Sequence, residues 1–229
     1  MQAAKKCFRI AILCPCLLIN YFWAVQPNVK LPAMPYRAEE ERQSFNTFLL
    51  CCAIIGSALF GLINFSFSAF HPDYIIVRQP IGDLELLRNG WIQSVDFIIF
   101  GLFMWAFAIG LRRELGGGTA SAMLPLMHEI TALALVIAGV FVHDPIHRIA
   151  SIVIFISMIA SFFLFAQRFK GDAHWKGWST FSLTTGIVVM ILVIMFGYSI
   201  NNNGAYAGLL ERMAMFAGAV WLIIFTIRV

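Results

Sequence analysis

Six stretches of about twenty mostly apolar residues, each bounded by turn-like breaks, constrain this chain more than any other feature. They cover residues 47–70, 92–111, 122–142, 149–167, 178–199 and 206–227. A hydrocarbon layer about 30 Å thick needs about 20 apolar residues of α-helix to cross it. Inside lipid every backbone N–H and C=O must be satisfied within the spanning structure, which leaves helices or closed barrels. A barrel would show short alternating strands, and these stretches do not alternate. The composition agrees, with 60% hydrophobic and only 12% charged residues, where a soluble domain runs about 45–50% and about 25%. The mean hydropathy is +0.82. In water such a chain would expose too much apolar surface, and it is far too apolar to be disordered. The expected fold class is all-α: a polytopic transmembrane helical bundle with a six-helix core over residues 47–227. Residues 1–46 are read separately, as an N-terminal apolar or interfacial segment followed by a cytoplasmic lead-in.

Orientation follows from Lys and Arg, which favour the cytoplasmic side. Segments at one end of the core carry Lys30, Arg37, Arg42, Arg112, Arg113, Arg168, Lys170, Lys176 and Arg228. The opposite loops carry only Arg78, Arg88 and Arg148. Both ends of the core are therefore expected in the cytoplasm of a cell whose inner membrane holds the protein. The apolar run 10–25 conflicts with this, because a crossing would leave Lys5, Lys6 and Arg9 outside. Three readings stay open. The run lies in the interface, or translation starts at Met34, or a plain seventh span breaks the rule. A cleaved signal peptide would put segment 26–46 outside and fares no better.

Ionisable residues are the informative ones in a bilayer, since each is costly to bury without a partner. Under the expected topology Asp83, Asp96, Asp144, His147, Glu211 and Arg212 gather at the non-cytoplasmic rim and form the expected binding set. Arg212 is the one basic side chain inside a core helix, and a guanidinium can take a carboxylate bidentately. It is read either as an ion pair with Asp83 or Asp96 that docks the last helix, or as the lining of an outward pocket for a polar head group. His143 and His147 stand four apart, which on a helix gives zinc-ligand geometry; with Asp144 they form the candidate metal set. Pro145 lies between them, so Asp144 is also read as the N-cap of a helix starting at Pro145. His128 and Glu129 are neighbours and point about 100° apart. One is expected to face the bundle and the other to reach the inner interface. Small residues such as Gly56, Gly61, Ala214 and Gly218 are read as helix packing. Trp91, Trp175, Trp178, Tyr198, Tyr206 and Trp221 are read as an interfacial aromatic belt.

Several short motifs carry a resemblance. An outer loop holds His71-Pro72 and Ile81-Gly82-Asp83-Leu84, and a later helix ends in AGVFVHDP with His147 close behind. The last helix opens with GLLERMAMFAGAVWL. Across roughly residues 47–227 this resembles the bacterial and archaeal membrane family called domain of unknown function 998 (DUF998). That family's pattern has an "IS(D/E)LG"-like loop, an "F-P-x-D-P" motif with a nearby His, and a "G-L-x-E-R" start to its final helix. Glu211-Arg212 and Asp144-Pro145 match. Gly82 replaces the Ser, Glu85 replaces the Gly, and Val142-His143 departs from the residues before the DP pair. The resemblance implies a six-helix core and leaves the activity open.

The functional expectation is binding of a polar head group or partner at the extracytoplasmic face. The alternative is a metal-dependent membrane hydrolase acting on lipid, with zinc as its cofactor; otherwise no cofactor is expected. A small-solute transporter is disfavoured, because the other helices offer no chain of ionisable groups for a relay. The net charge of +4 is spread over loops with no basic tract, so nucleic acid is not an expected partner. The bilayer and a lipid or polar head group are.

Overall fold

The computed structural model describes residues 36–115, 117–142, 144–202 and 204–229. Six helices follow one another: α1 (Tyr36–Ala69), α2 (Trp91–Glu114), α3 (Thr119–Val140), α4 (Pro145–Arg168), α5 (Trp178–Asn201) and α6 (Ala207–Arg228). A single 3-10 turn, Ile81–Leu86, interrupts the loop between α1 and α2. There is no strand among the described residues. All six helices are long and apolar enough to cross a membrane, so the protein is a multi-pass membrane protein with an all-helical bundle. The 22–24 residues of α2 to α6 give about 33–36 Å of helix, enough for a core about 30 Å thick. Helix α1 starts at Tyr36 and so takes in part of the polar lead-in. The conflict over run 10–25 lies outside the described residues.

Helix ends follow local chemistry. Asp144 is the N-cap of α4; its Oδ1 accepts a hydrogen bond from the Ile146 N–H at 2.8 Å, and Pro145 fills the first helical position. Arg112 and Arg113 lie in the last turn of α2. Cations there oppose the negative end of the helix dipole. Gly177, at φ 85°, makes the left-handed entry to α5, a conformation that costs glycine little.

The helices run antiparallel and pack in sequence order, and α6 returns to α1 to close the ring. The α1–α6 seam is the sparsest of these contacts. At the end holding Arg168, Lys176 and Arg228 the centre is filled by rings. Phe165 packs on Trp221 (4.4 Å between centroids) and Phe225 (5.1 Å), and Phe169 stacks on Trp175 (4.4 Å). Trp91, Tyr198 and Tyr206 are exposed, as an interfacial belt requires. Trp221 is not part of that belt: it is 1% exposed, inside the bundle. His128 and Glu129 divide as their angular separation demands. His128 is buried, and Glu129 reaches out to Arg112 at 2.7 Å.

Candidate functional site

The loop 70–90 folds down over one end of the bundle, here the capped end, and its seat is the first turn of α6. The opening N–H groups of a helix have no partner of their own. Here the N–H of Leu209 donates to Val77 O at 2.9 Å, and that of Gly208 to Arg78 O at 3.3 Å. A Cβ at position 208 would stand 2.2 Å from Gln79 O, so the approach needs glycine. Arg212, one turn further on, grips the same loop. Its Nη1 donates to Ile76 O (3.0 Å), Gln79 O (3.1 Å) and Gly208 O (3.0 Å), and its Nη2 donates to the Tyr74 hydroxyl (2.7 Å). That hydroxyl is 2.7 Å from Pro80 O and 2.9 Å from Gln79 O, to which it donates. Burial pushes the Tyr74 phenol up to about 12, against the opposing pull of Arg212, so it keeps its proton. Glu211 Oε2 accepts the Ile81 N–H at 2.6 Å. The four residues Gly208, Leu209, Glu211 and Arg212 thus act together as a clamp on the cap.

The 3-10 turn holds the other side. Glu85 is buried, with its Oε2 3.3 Å from His147 Nδ1. The same nitrogen lies 2.9 Å from Ala138 O, an acceptor, so it carries the hydrogen. Burial raises the Glu85 carboxyl to about 7, with a smaller lowering from the Ser94 hydroxyl. His147 Nε2 rests against Gly82, where a Cβ would come within 2.8 Å.

Beneath the cap lies a cavity of about 130 Å³. An engineered void of about 150 Å³ accommodates a benzene ring, so the scale is that of a small organic group. Its walls are Phe60, Phe100, Phe162, Phe165, Met104 and Met158, with Ile81 of the cap above. Phe65 on α1 and Phe216 on α6 also line it, and they are 56% and 69% exposed to the bundle's exterior. The void therefore opens sideways through the α1–α6 seam. Gly61 sits at that opening, and a Cβ built there meets nothing within 4 Å; it leaves space where the sequence suggested packing. Gly56 does pack, on Phe103.

Four polar groups line this cavity and are at least nine-tenths buried, each with an atom lacking a hydrogen-bond partner among the described residues. They are Ser57 Oγ, Asn64 Nδ2, Arg212 Nε and Trp221 Nε1. Such orphans are rare in folded proteins, because each costs about 1–3 kcal/mol. His128 also lines the void, with Nδ1 2.9 Å from Leu124 O. A smaller space of about 30 Å³ adjoins it, shares Phe60, Ile81, Leu135, Ile154 and Met215, and is lined by His147 and Glu211.

The expected site residues are placed as follows. Arg212 lines the larger cavity, and Glu211 and His147 the smaller. Asp83 lies in the 3-10 turn of the cap, half-buried. Asp96 is buried in α2, where Gln93 Nε2 donates to its Oδ2 at 3.4 Å. Asp144 stays exposed as the α4 cap. Arg212 spends its Nη atoms on the cap's carbonyls and on Tyr74 rather than on a carboxylate. Among the described residues no three His, Cys, Asp or Glu side chains come close enough to hold a metal ion; His143 lies outside them. Sequence reasoning passed over Ser57, Asn64 and Tyr74, whose types are ordinary at those positions in a membrane helix or loop, and read Trp221 as an interfacial ring.

A family model described as "Protein of unknown function (DUF998)" matches residues 54–228. No curated protein and no solved structure matches the chain.

Proposed function

This chain belongs to the DUF998 family of proteins of unknown function, and on that premise we propose that it is a lipid-binding membrane protein. The lipid enters sideways between α1 and α6. Its chain lies in the cavity along α6, and its polar end rests under the cap near Arg212. The observation that carries this reading is the combination at one void: an apolar lining, an opening toward the bilayer, and buried polar atoms without partners. An apolar lining alone would suit a dry packing defect. A water-filled void would need several polar partners for each water, and most of the wall is apolar.

In this reading three residues of the expected binding set, Arg212, Glu211 and His147, stand at the two spaces. Arg212 and Glu211 hold the cap over the ligand's polar end, His147 borders the smaller space beside it, and Asp83 belongs to the cap itself. Asp96, bonded within α2 to Gln93, and Asp144, the cap of α4, stand apart from it. The capped end faces away from the cytoplasm. Arg112, Arg113, Arg168, Lys170, Lys176 and Arg228 all stand at the opposite end, as the positive-inside rule asks. The ligand then comes from the outer leaflet of the inner membrane.

The test is Gly61→Trp, which fills the opening, beside Gly197→Trp on α5, where a Cβ also meets nothing within 4 Å. Native mass spectrometry after gentle detergent extraction should find a lipid on the wild type and on the Gly197 variant, and not on the Gly61 variant. Equal retention by all three would overturn the reading.

A further inference from the structure

The smaller space beside the void lies where α4, α6 and the cap meet. His147 stands two residues after the start of α4 and Glu211 four residues after the start of α6, about 3 Å and 6 Å below the capped end. Side chains of a helix lean toward its N-terminus. Both helices start at the capped end, so both side chains lean toward the cap. Gly82 of the 3-10 turn borders the same space. The space measures about 30 Å³. A water needs about 10–15 Å³, so there is room for about two water-sized groups.

Three polar side chains line it: His147, Ser151 and Glu211. Each has spent its donor or has none. His147 Nδ1 carries the ring hydrogen, 2.9 Å from Ala138 O and 3.3 Å from Glu85 Oε2. That leaves a lone pair on Nε2 of the neutral ring. Nε2 lies beside Gly82, has no hydrogen bond among the described residues and is not one of the fully buried unpartnered atoms. Its lone pair therefore keeps an accessible edge. Ser151 Oγ donates to His147 O at 3.0 Å, and its own lone pairs stay free to accept. A carboxylate only accepts. Glu211 Oε2 takes the Ile81 N–H, and Oε1 has no partner among the described residues and is not fully buried.

A set made only of acceptors receives a donor, and a hydroxyl supplies one in the room available. A phosphodiester brings acceptors and a negative charge, and like charges brought together are penalised. The walls common to the two spaces, Phe60, Ile81, Leu135, Ile154 and Met215, are apolar. A chain in the larger void and a hydroxyl in the smaller one suit a single uncharged molecule.

We propose that the smaller space is the seat of a hydroxyl, and that the slot takes an uncharged lipid ending in a free hydroxyl, of the diacylglycerol kind, in preference to a phospholipid. The proposal rests on the lipid-binding reading above and names its ligand class. His147 Nε2 receives the hydroxyl hydrogen. Ala138 O and Glu85 are positioning groups that keep the ring's own hydrogen on Nδ1.

The experiment is a competition on delipidated protein, read by native mass spectrometry. The probes are diacylglycerol, its O-methyl ether and phosphatidylcholine, all with the same chains. The ether keeps the chains, the linkages and the neutrality, and loses the donor. Diacylglycerol should win over the ether by about tenfold, or about 1.4 kcal/mol, for one hydrogen bond. It should win over phosphatidylcholine as well. Gly82→Ala sets a methyl 2.8 Å from Nε2 and should bring diacylglycerol and ether uptake close together while both still bind. Ser151→Ala, a milder change that removes one acceptor, should narrow the same gap. Equal uptake of diacylglycerol and its ether by the wild type, a preference for phosphatidylcholine, or an undiminished gap in the variants would overturn this proposal and leave the lipid-binding reading standing. Failure to take up any of the three lipids would overturn both.

Discussion

Arg212 and Tyr74 meet across the seat of the cap, with Nη2 2.7 Å from the phenol oxygen and the guanidinium 5.6 Å from the ring centre. One contact ties the last helix to the loop after the first. It converts a flexible connection into a roof over the cavity. Removing the guanidinium leaves the Ile76 and Gln79 carbonyls and the Tyr74 hydroxyl without it. Hydrogen bonds to charged groups contribute about 1.5–3 kcal/mol each, so Arg212→Ala should cost about 3 kcal/mol or more and Tyr74→Phe about 1–3 kcal/mol. Because the two share one network, the double variant should lose less than the sum. Thermal unfolding in detergent measures all three, and additive losses would contradict the shared network.

Gly208 makes a sharper claim about the same seat. An added methyl would collide with Gln79 O, a backbone atom, at 2.2 Å. At Gly218 its tightest contact would be Met158 Sδ at 3.1 Å, the movable end of a flexible side chain, with Phe162 at an ordinary 3.8 Å. Gly208→Ala should therefore lift the loop, seen as faster hydrogen exchange across residues 76–81, while Gly218→Ala leaves exchange there as in the wild type. Matching exchange in the two variants would show that the loop does not lie on Gly208.

Glu85 brings a pH dependence. Its carboxyl stands near 7 in the fold because burial raises it from 4.5. The folded state thus binds the proton more tightly than the unfolded state. Its contribution is fully present below about pH 4.5 and is lost as pH rises through about 7. Glu85→Gln keeps the shape and removes the titration, so the difference in melting temperature between wild type and variant should move in the variant's favour between pH 5 and 7.5. A difference that stays constant with pH would contradict the buried acid.

Asp144 is expected to act as a cap. Asp144→Ala should cost about 1 kcal/mol, the usual loss for an N-cap, and Asp144→Ser should recover most of it because the serine oxygen can accept the same Ile146 N–H. Failure of Ser to recover stability would point to a role for the carboxylate beyond capping.

The bundle was legible because lipid imposes a simple rule: from α2 to α6 the runs of apolar residues and the helices coincide to within about four residues, from Trp178 on α5 to Pro145 on α4, whereas α1 starts well ahead of its apolar run, at Tyr36, because the polar lead-in is helical too. The cap of α4 was legible for a similar reason, since Asp-Pro at a helix start has a local chemical meaning. The partners of Arg212 were not. Charge counting directs an arginine to carboxylates, and backbone carbonyls such as Ile76 O and Gln79 O have no side-chain signature that would compete. Glu85 stands among loop residues in the sequence, with nothing there to mark that the 3-10 turn buries it. Asn64 and Ser57 are unremarkable on a membrane helix, and Trp221 reads as an interfacial ring; only the void between α1 and α6 makes their unpaired atoms informative.

The account depends most on where a lipid touches the protein. Phosphatidylglycerol carrying a diazirine in its acyl chain, incorporated into nanodiscs with the wild type and irradiated, reports this by peptide mapping of the adducts. The predicted result is adducts concentrated on Phe65, Met215 and Phe216 and lost in Gly61→Trp. Adducts spread along the outward face of α5, with none enriched at the α1–α6 seam, would contradict it.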